Sequence, residues 1–335
     1  MRYWATLLFG MVCSCSKAPG PVSPTTELKT TPVDVIDVPL SGPFSEKKAE
    51  LSALAWWGEK LILCPQYPAK FGLAGSGAVA TISKEALLAL SAQGSPKAPI
   101  EPVALPFDDG GLSAKVEGFE GFEAIVVDGS RVALTIEAKR SSGMIGYLVA
   151  GSISEAGIVL DPSSLAVLQP QATLPNMAFE SLTPVRKNLL AAVFEANGSS
   201  CTHDPNARMF RWEKNGFSAA PSWKLDAIDY RITDITPPDD LGRMYALNIY
   251  WTGEQFLARA GADDAEKNQG VEQIIELVAD GNRIHRTGRA PWSLKPDATP
   301  KARNWEGIAR LDGVGFLIVT DEHPSTRLAI VPVSP

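Results

Sequence analysis

Cysteine, histidine and long apolar runs are what this 335-residue chain has least of. Two of its four cysteines fall at positions 13 and 15, so Cys64 and Cys201 alone cannot build a disulfide scaffold. Pairing those two would require the fold to bring distant segments within bonding range. The three histidines, His203, His285 and His323, are scattered rather than spaced as zinc ligands. Past the N-terminus no segment reaches the roughly eighteen apolar residues that a membrane-spanning helix needs. Lys and Arg number 31 against 38 Asp and Glu, a net charge of −7 without long runs of one sign. A nucleic-acid partner would call for a basic surface and is not expected. No Gly-x-Ser-x-Gly elbow and no Gly-rich phosphate loop ending in Lys-Ser or Lys-Thr is present, which disfavours a covalent serine hydrolase.

What is present is a 45% hydrophobic chain in which 28 glycines and 26 prolines are dispersed, the pattern of a packed core built from many short elements and turns. The N-terminus is an address. Met1-Arg2 is followed by an apolar stretch from Tyr3 to Val12 and then by Val12-Cys13-Ser14-Cys15. This ending resembles a bacterial lipobox and implies a lipoprotein signal over residues 1–15 with Cys15 lipidated. The alternative is an ordinary secretory signal cleaved near Ser16. Residues 16–43, rich in Pro, Ser and Thr, read as a tether. The expectation is a cell-envelope domain over 44–335, at the periplasmic face of an outer membrane and held to it through the lipid alone.

One short phrase recurs five times: Leu51-Ser52-Ala53-Leu54-Ala55, Phe122-Glu123-Ala124-Ile125-Val126, Phe179-Glu180-Ser181-Leu182-Thr183, Ile232-Thr233-Asp234-Ile235-Thr236 and Trp305-Glu306-Gly307-Ile308-Ala309. The order is large apolar, oxygen-bearing, small or polar, aliphatic, then small or β-branched. A turn and a β-type run follow each copy, at Lys60–Cys64, Arg131–Glu137, Leu189–Glu195, Arg243–Tyr250 and Gly315–Asp321. Third and fourth strands are expected further out, and four antiparallel strands per repeat is the grammar of a β-propeller blade. The fifth repeat has room for only three strands. An open edge is a liability, so the missing strand is expected from Pro32 to Leu40. The reading is all-β: a five-bladed β-propeller closed by an N-terminal strand, with six blades as the alternative. Ser83–Ser91 reads as a short inserted helix capped by Ser83.

In a propeller the first strand of each blade lines the central channel. The second position of the phrase then forms a ring of Ser52, Glu123, Glu180, Thr233 and Glu306. Three converging carboxylates repel one another unless they are protonated or met by a cation. A hard divalent ion, calcium first, accepts such an oxygen set.

The order of the ring resembles that of the calcium-activated apyrases (soluble calcium-activated nucleotidases). Trp305-Glu306-Gly307-Ile308 is similar to their last-blade phrase and Glu180-Ser181 to a third-blade one, while Ser52-Ala53 lacks an acidic residue that they carry. The resemblance implies a five-bladed propeller with calcium in the tunnel. The phrases Glu50 to Trp57 and Asn304 to Asp312 also resemble exported bacterial propellers grouped as phytase-like or esterase-like.

The second strands run back toward the mouth where the first strands begin. This places Gln66-Tyr67, Glu137 to Arg140, Glu195 to Asn197, Asn248 to Trp251 and Asp321 to His323 around it. Lys139 and Arg140 would stabilise charge on a phosphate, and Asp321 or Glu137 would orient the attacking water. Two functions follow from these residues. One is a calcium-dependent hydrolase of a small molecule with phosphoanhydride or phosphoester bonds. The other is a non-catalytic module that presents its face to an envelope partner, with calcium as a structural pin.

Overall fold

A computed structural model describes residues 29–72, 77–94, 98–297, 303–321 and 325–333. The signal, Cys15, residues 16–28 of the tether and His323 lie outside the described residues. The protein is all-β, and each copy of the repeated phrase opens one antiparallel group. Two short strands come first, β1 (Thr31–Val33) and β2 (Ile36–Val38). Group one is β3 (Leu51–Trp57), β4 (Lys60–Pro65), β5 (Gly77–Ser83) and β6 (Val103–Asp108). Group two is β7 (Phe119–Asp128), β8 (Arg131–Arg140), β9 (Gly143–Ser154) and β10 (Gly157–Leu168). Group three is β11 (Ser181–Arg186), β12 (Leu189–Val193), β13 (Asn206–Glu213) and β14 (Gly216–Leu225). Group four is β15 (Arg231–Ile235), β16 (Arg243–Tyr250), β17 (Val271–Asp280) and β18 (Arg283–Arg286), to which β19 (Trp292–Leu294) adds. Group five is β20 (Trp305–Leu311), β21 (Gly315–Thr320) and β22 (Arg327–Pro332).

The N-terminal segment completes group five: β2 runs antiparallel to β22, with Ile36 opposite Ile330 and Val38 opposite Leu328. The single strand expected over Pro32–Leu40 is in fact two. The chain breaks at Asp34-Val35, and β1 pairs in parallel with β19 of group four. The strand Trp292–Leu294 carries no repeat signal and was not anticipated. Ser83 caps the helix Lys84–Ser91 as expected, its Oγ accepting from the Ala86 amide at 3.2 Å. The polar insertion after Asp263 holds one helical turn closed by a capping box between Asp263 and Glu266.

Five apolar cores fill the spaces between groups. Leu134 and Phe122 pack against Ile62 and Val79 between groups one and two. Phe179 and Phe194 face Leu148 and Ala133 between two and three, and Ile232 and Met244 face Val193 and Met209 between three and four. Trp305 and Phe316 pack on Tyr245 and Leu247 between four and five. The last core, with Leu317 and Leu328 against Leu54 and Leu61, returns from group five to group one, and Val38 is inside it. Aliphatic and aromatic residues alternate to both faces of each sheet because both faces are covered. At the outer rim parallel contacts join neighbours, Ile158 beside Phe107 and Lys224 beside Arg283. The first strands β3, β7, β11, β15 and β20 neighbour one another in a closed cycle.

Candidate functional site at the carboxylate mouth

The axial position of the phrase is set by backbone irregularity. The ladder between first and second strands slips a residue between Leu51 and Ala53, between Ile232 and Asp234, and between Trp305 and Gly307; in group two the slip spans Phe122 to Ile125. The residue left over is Ser52, Thr233 or Glu306, and in group two Glu123 with Ala124. Such a bulge re-aims the side chain out of the ladder. In group three Glu180 precedes the first paired residue, Ser181. The second-position side chains therefore leave the sheet surface together. The aliphatic fourth position behaves differently: Leu54, Ile125, Leu182, Ile235 and Ile308 all line one cavity of about 160 Å³ further along the first strands. The axis is thus crowded with carboxylates at the mouth and lined beyond it by these five aliphatic side chains, with Asp234, Thr236, Arg310 and Asp312 also on the cavity wall.

The two hydroxyls of the ring are spent on neighbours. Ser52 Oγ donates to the Phe122 carbonyl at 2.6 Å, and Thr233 Oγ1 donates to the Trp305 carbonyl at 2.7 Å. Each ties a first strand to the next one round the cycle. Backbone bonds at the mouth tie the end of a second strand to the first strand of the next group, Phe122 N–H to the Gln66 carbonyl at 2.9 Å and Ile232 N–H to the Glu195 carbonyl at 3.0 Å.

The carboxylates are gathered around a guanidinium. Arg231 Nη2 lies 2.7 Å from Glu180 Oε1, and Nε lies 2.8 Å from Glu195 Oε2. Glu254 is 3.8 Å and Glu306 4.0 Å from the same group. Burial works against the Arg231 charge, and the surrounding glutamates outweigh it, so its pKa is raised well above the usual arginine value. Asn248 Nδ2 donates to the Asp229 and Arg231 carbonyls at 2.9 and 3.0 Å, fixing the backbone from which Arg231 projects. On the other side of the mouth Glu123 accepts from Gln66 Nε2 at 2.9 Å. Gly121 makes room for that contact: its φ is +145°, and a Cβ there would meet Gln66 Cγ at 2.1 Å.

Burial pushes the carboxyls of Glu123, Glu180 and Glu306 well above the ordinary range. Glu137 and Glu306 add to the effect on Glu123, and Asp321 adds to that on Glu306; Arg231 opposes it on Glu180. Glu137 rises from 4.5 to about 8, through burial first and the neighbouring Glu195 second. Several polar atoms here are buried with no hydrogen-bond partner, among them Glu137 Oε1, Glu180 Oε2, Asn197 Oδ1 and Asn304 Oδ1.

The expected site residues divide as follows. Glu123, Glu180, Glu306, Glu137 and Asp321 come together at one mouth. Ser52 and Thr233 share the register, with their hydroxyls turned to backbone carbonyls. Lys139 is exposed, and Arg140 lies on the Tyr147 ring, 5.6 Å from its centroid, and donates to the Tyr147 hydroxyl. Lys139 shares the strand face of Glu137 and acts on it from the edge of the cluster by its charge, whereas Arg140 takes no part in the cluster. Arg231 does take part, and it was not anticipated. It stands one residue before the fourth phrase, where the other copies have Glu50, Gly121, Ala178 and Asn304. A lone cation at that repeat position, beside three glutamates, is the signal that reading only the second position passes over. Cys64 and Cys201 are both free thiols, not a disulfide. As the donors stand, they do not make a ligand shell for a hard divalent ion. Among the described residues no group of three or more His, Cys, Asp or Glu side chains is arranged to hold a metal.

No protein-family model matches the chain, and no curated protein matches it in sequence. Its fold is similar to that of several solved structures at low identity. A glycosyl hydrolase from Bacteroides ovatus aligns over 86% of both chains with 11% identity and a TM-score of 0.46. A GH43_1 enzyme from Xanthomonas citri complexed with xylose aligns over 89% of this chain and 91% of its own, with 10% identity and a TM-score of 0.46. An α-L-arabinofuranosidase from Clostridium thermocellum covers 81% of both, with 12% identity and a TM-score of 0.46. None of the three is an apyrase or a phytase.

Proposed function

We propose that this chain is a five-bladed β-propeller hydrolase of the cell envelope, tethered through Cys15, that cleaves an acetal such as a glycosidic bond by carboxyl acid–base catalysis at the carboxylate mouth. The carrying observation is the contrast between two adjacent glutamates. Glu137 is pushed up to about 8 and keeps its proton at neutral pH, while Glu195 is ion-paired with Arg231 at 2.8 Å. Adjacent carboxyls with opposed environments are how a site assigns an acid and a base. Glu137 would protonate the leaving oxygen, and a carboxylate of the Arg231 set would activate water. Acetal hydrolysis needs neither a serine nucleophile nor a cation facing a phosphate. The unpartnered amide oxygens of Asn197 and Asn304 suit the hydroxyls of a polyol substrate.

A phosphoester substrate is less well supported, because Arg140 is turned away onto Tyr147 and Lys139, which shares the strand face of Glu137, touches the cluster only through its charge on that residue. Calcium is less well supported too: in this reading Arg231 is the cation that answers the ring. The second reading is a non-catalytic module in which Arg231 pins the blades together. The Ser52 and Thr233 bonds across first strands favour it. Release of nitrophenol from a panel of nitrophenyl glycosides and nitrophenyl phosphate, with wild type and Glu137→Gln, separates the readings. Glycoside turnover lost in E137Q supports the hydrolase. Turnover of the phosphate alone, or none with any glycoside, overturns it.

A further inference from the structure

A second concave site lies on the opposite face. Arg186 ends the strand β11 that starts beside Glu180, roughly 20 Å away at about 3.3 Å per residue. There a cleft of about 900 Å³ is lined by Arg131, Arg186, Lys187, Arg211 and Lys214, with Glu213 as its one carboxylate. On a chain of net charge −7 this is a marked inversion of sign. Like charges crowded into a concavity focus a positive potential, and their repulsion is relieved by an anion.

Two of the guanidinium groups are held in place. Arg186 lies over the Trp223 ring at 4.8 Å and donates through Nη2 to the Gly281 carbonyl at 2.7 Å. Arg131 lies over Trp212 at 4.5 Å and donates to Asn188 Oδ1 at 2.7 Å, with Asp128 sharing its charge. Among the described residues Arg186, Lys187, Arg211 and Lys214 have no carboxylate within 4 Å. Fixed guanidinium forks beside free ammonium groups are suited to carboxylate and sulfate recognition.

The shape and the lining narrow the ligand. The volume falls within the usual range for a discrete ligand. Trp212 and Trp223 are buried and already covered by arginine, so no ring face is open for stacking bases. Beside the two covered tryptophans the apolar lining is Leu189, Ala220 and Pro221, set among five cations. We infer that this cleft binds an anionic oligosaccharide carrying several carboxylate or sulfate groups, at a site separate from the carboxylate mouth and independent of what that mouth does.

The test is calorimetric titration of the full chain with hexagalacturonate and a heparin hexasaccharide, against maltohexaose, polyglutamate and phosphatidylglycerol vesicles. Arg211 and Lys214 are exposed strand and turn residues, so R211E and K214E leave the fold in place. The expected result is one-site binding of an anionic hexasaccharide that weakens with salt, at least tenfold looser in each variant, and none of maltohexaose. Absence of binding to both anionic hexasaccharides overturns the inference. Equal binding in the variants does so too, as does binding confined to polyglutamate or to vesicles.

Discussion

Arg231 and Glu195 meet across the boundary between the third and fourth groups, Nε to Oε2 at 2.8 Å, with side-chain exposures of 6% and 0%. A charge pair this deep is weak evidence for stability as a whole, yet removing one partner strands the other. Arg231→Met should therefore destabilise the protein by about 3–5 kcal/mol at pH 7 in urea denaturation. The loss should shrink at pH 5, where the glutamates with raised pKa values take up protons. An R231M protein as stable as wild type at pH 7 would remove Arg231 from its place as counter-ion.

The same environment makes Glu137 a pH-dependent liability. A carboxyl whose pKa is about 8 folded and 4.5 when exposed binds its proton more tightly in the native state. Stability is then fullest below pH 4.5 and is lost as pH rises toward 8, by up to about 1.4 kcal/mol per unit from this group. Glu137→Gln removes that slope while keeping the shape. Wild type should lose melting temperature between pH 5 and 8 and E137Q should lose less; parallel profiles would contradict the assignment. If Glu137 is the acid, wild-type activity should also fall above pH 8.

The metal question has a direct answer in solution. With Arg231 inside the ring and both hydroxyls committed, neither millimolar calcium nor a chelator should move the melting temperature by more than about a degree. A ligand held a hundredfold above its Kd would add about 2.7 kcal/mol. A calcium-induced rise of several degrees would reinstate the ion and overturn the assignment of its role to Arg231.

The repeat was legible because a strand's alternation and a bulge together force the same residue types at the same place in every copy. The five phrases each open a group, and Glu123, Glu180 and Glu306 reach one mouth. What escaped was set by contacts the pattern does not encode. Arg231 sits outside the phrase by one residue. The hydroxyls of Ser52 and Thr233 turn to the Phe122 and Trp305 carbonyls of the next first strands. Arg140 follows the strand's alternation to the opposite face from Glu137, onto Tyr147, which parity alone would have indicated. Asp234, the polar third position of the fourth phrase, is buried and accepts the Ile235 and Ile308 amides at 2.8 and 2.9 Å, so it joins group four to group five.

Closure of the cycle rests on three residues at the N-terminus, and adjacent positions test it. Val38 is 2% exposed in the core between groups five and one, whereas Asp37 points outward to Arg327 at 2.6 Å from a 55% exposed side chain. If β2 completes the last group, Val38→Asp buries a charge without a partner and should cost more than about 3 kcal/mol. Asp37→Ala removes only a surface pair and should cost less than about 1 kcal/mol. The contrast matters more than either value. Both substitutions touch the same strand, so local fraying alone would make them alike. Denaturation midpoints that fall together, or a V38D protein as stable as D37A, would mean that the chain holds its ring without the N-terminal strand.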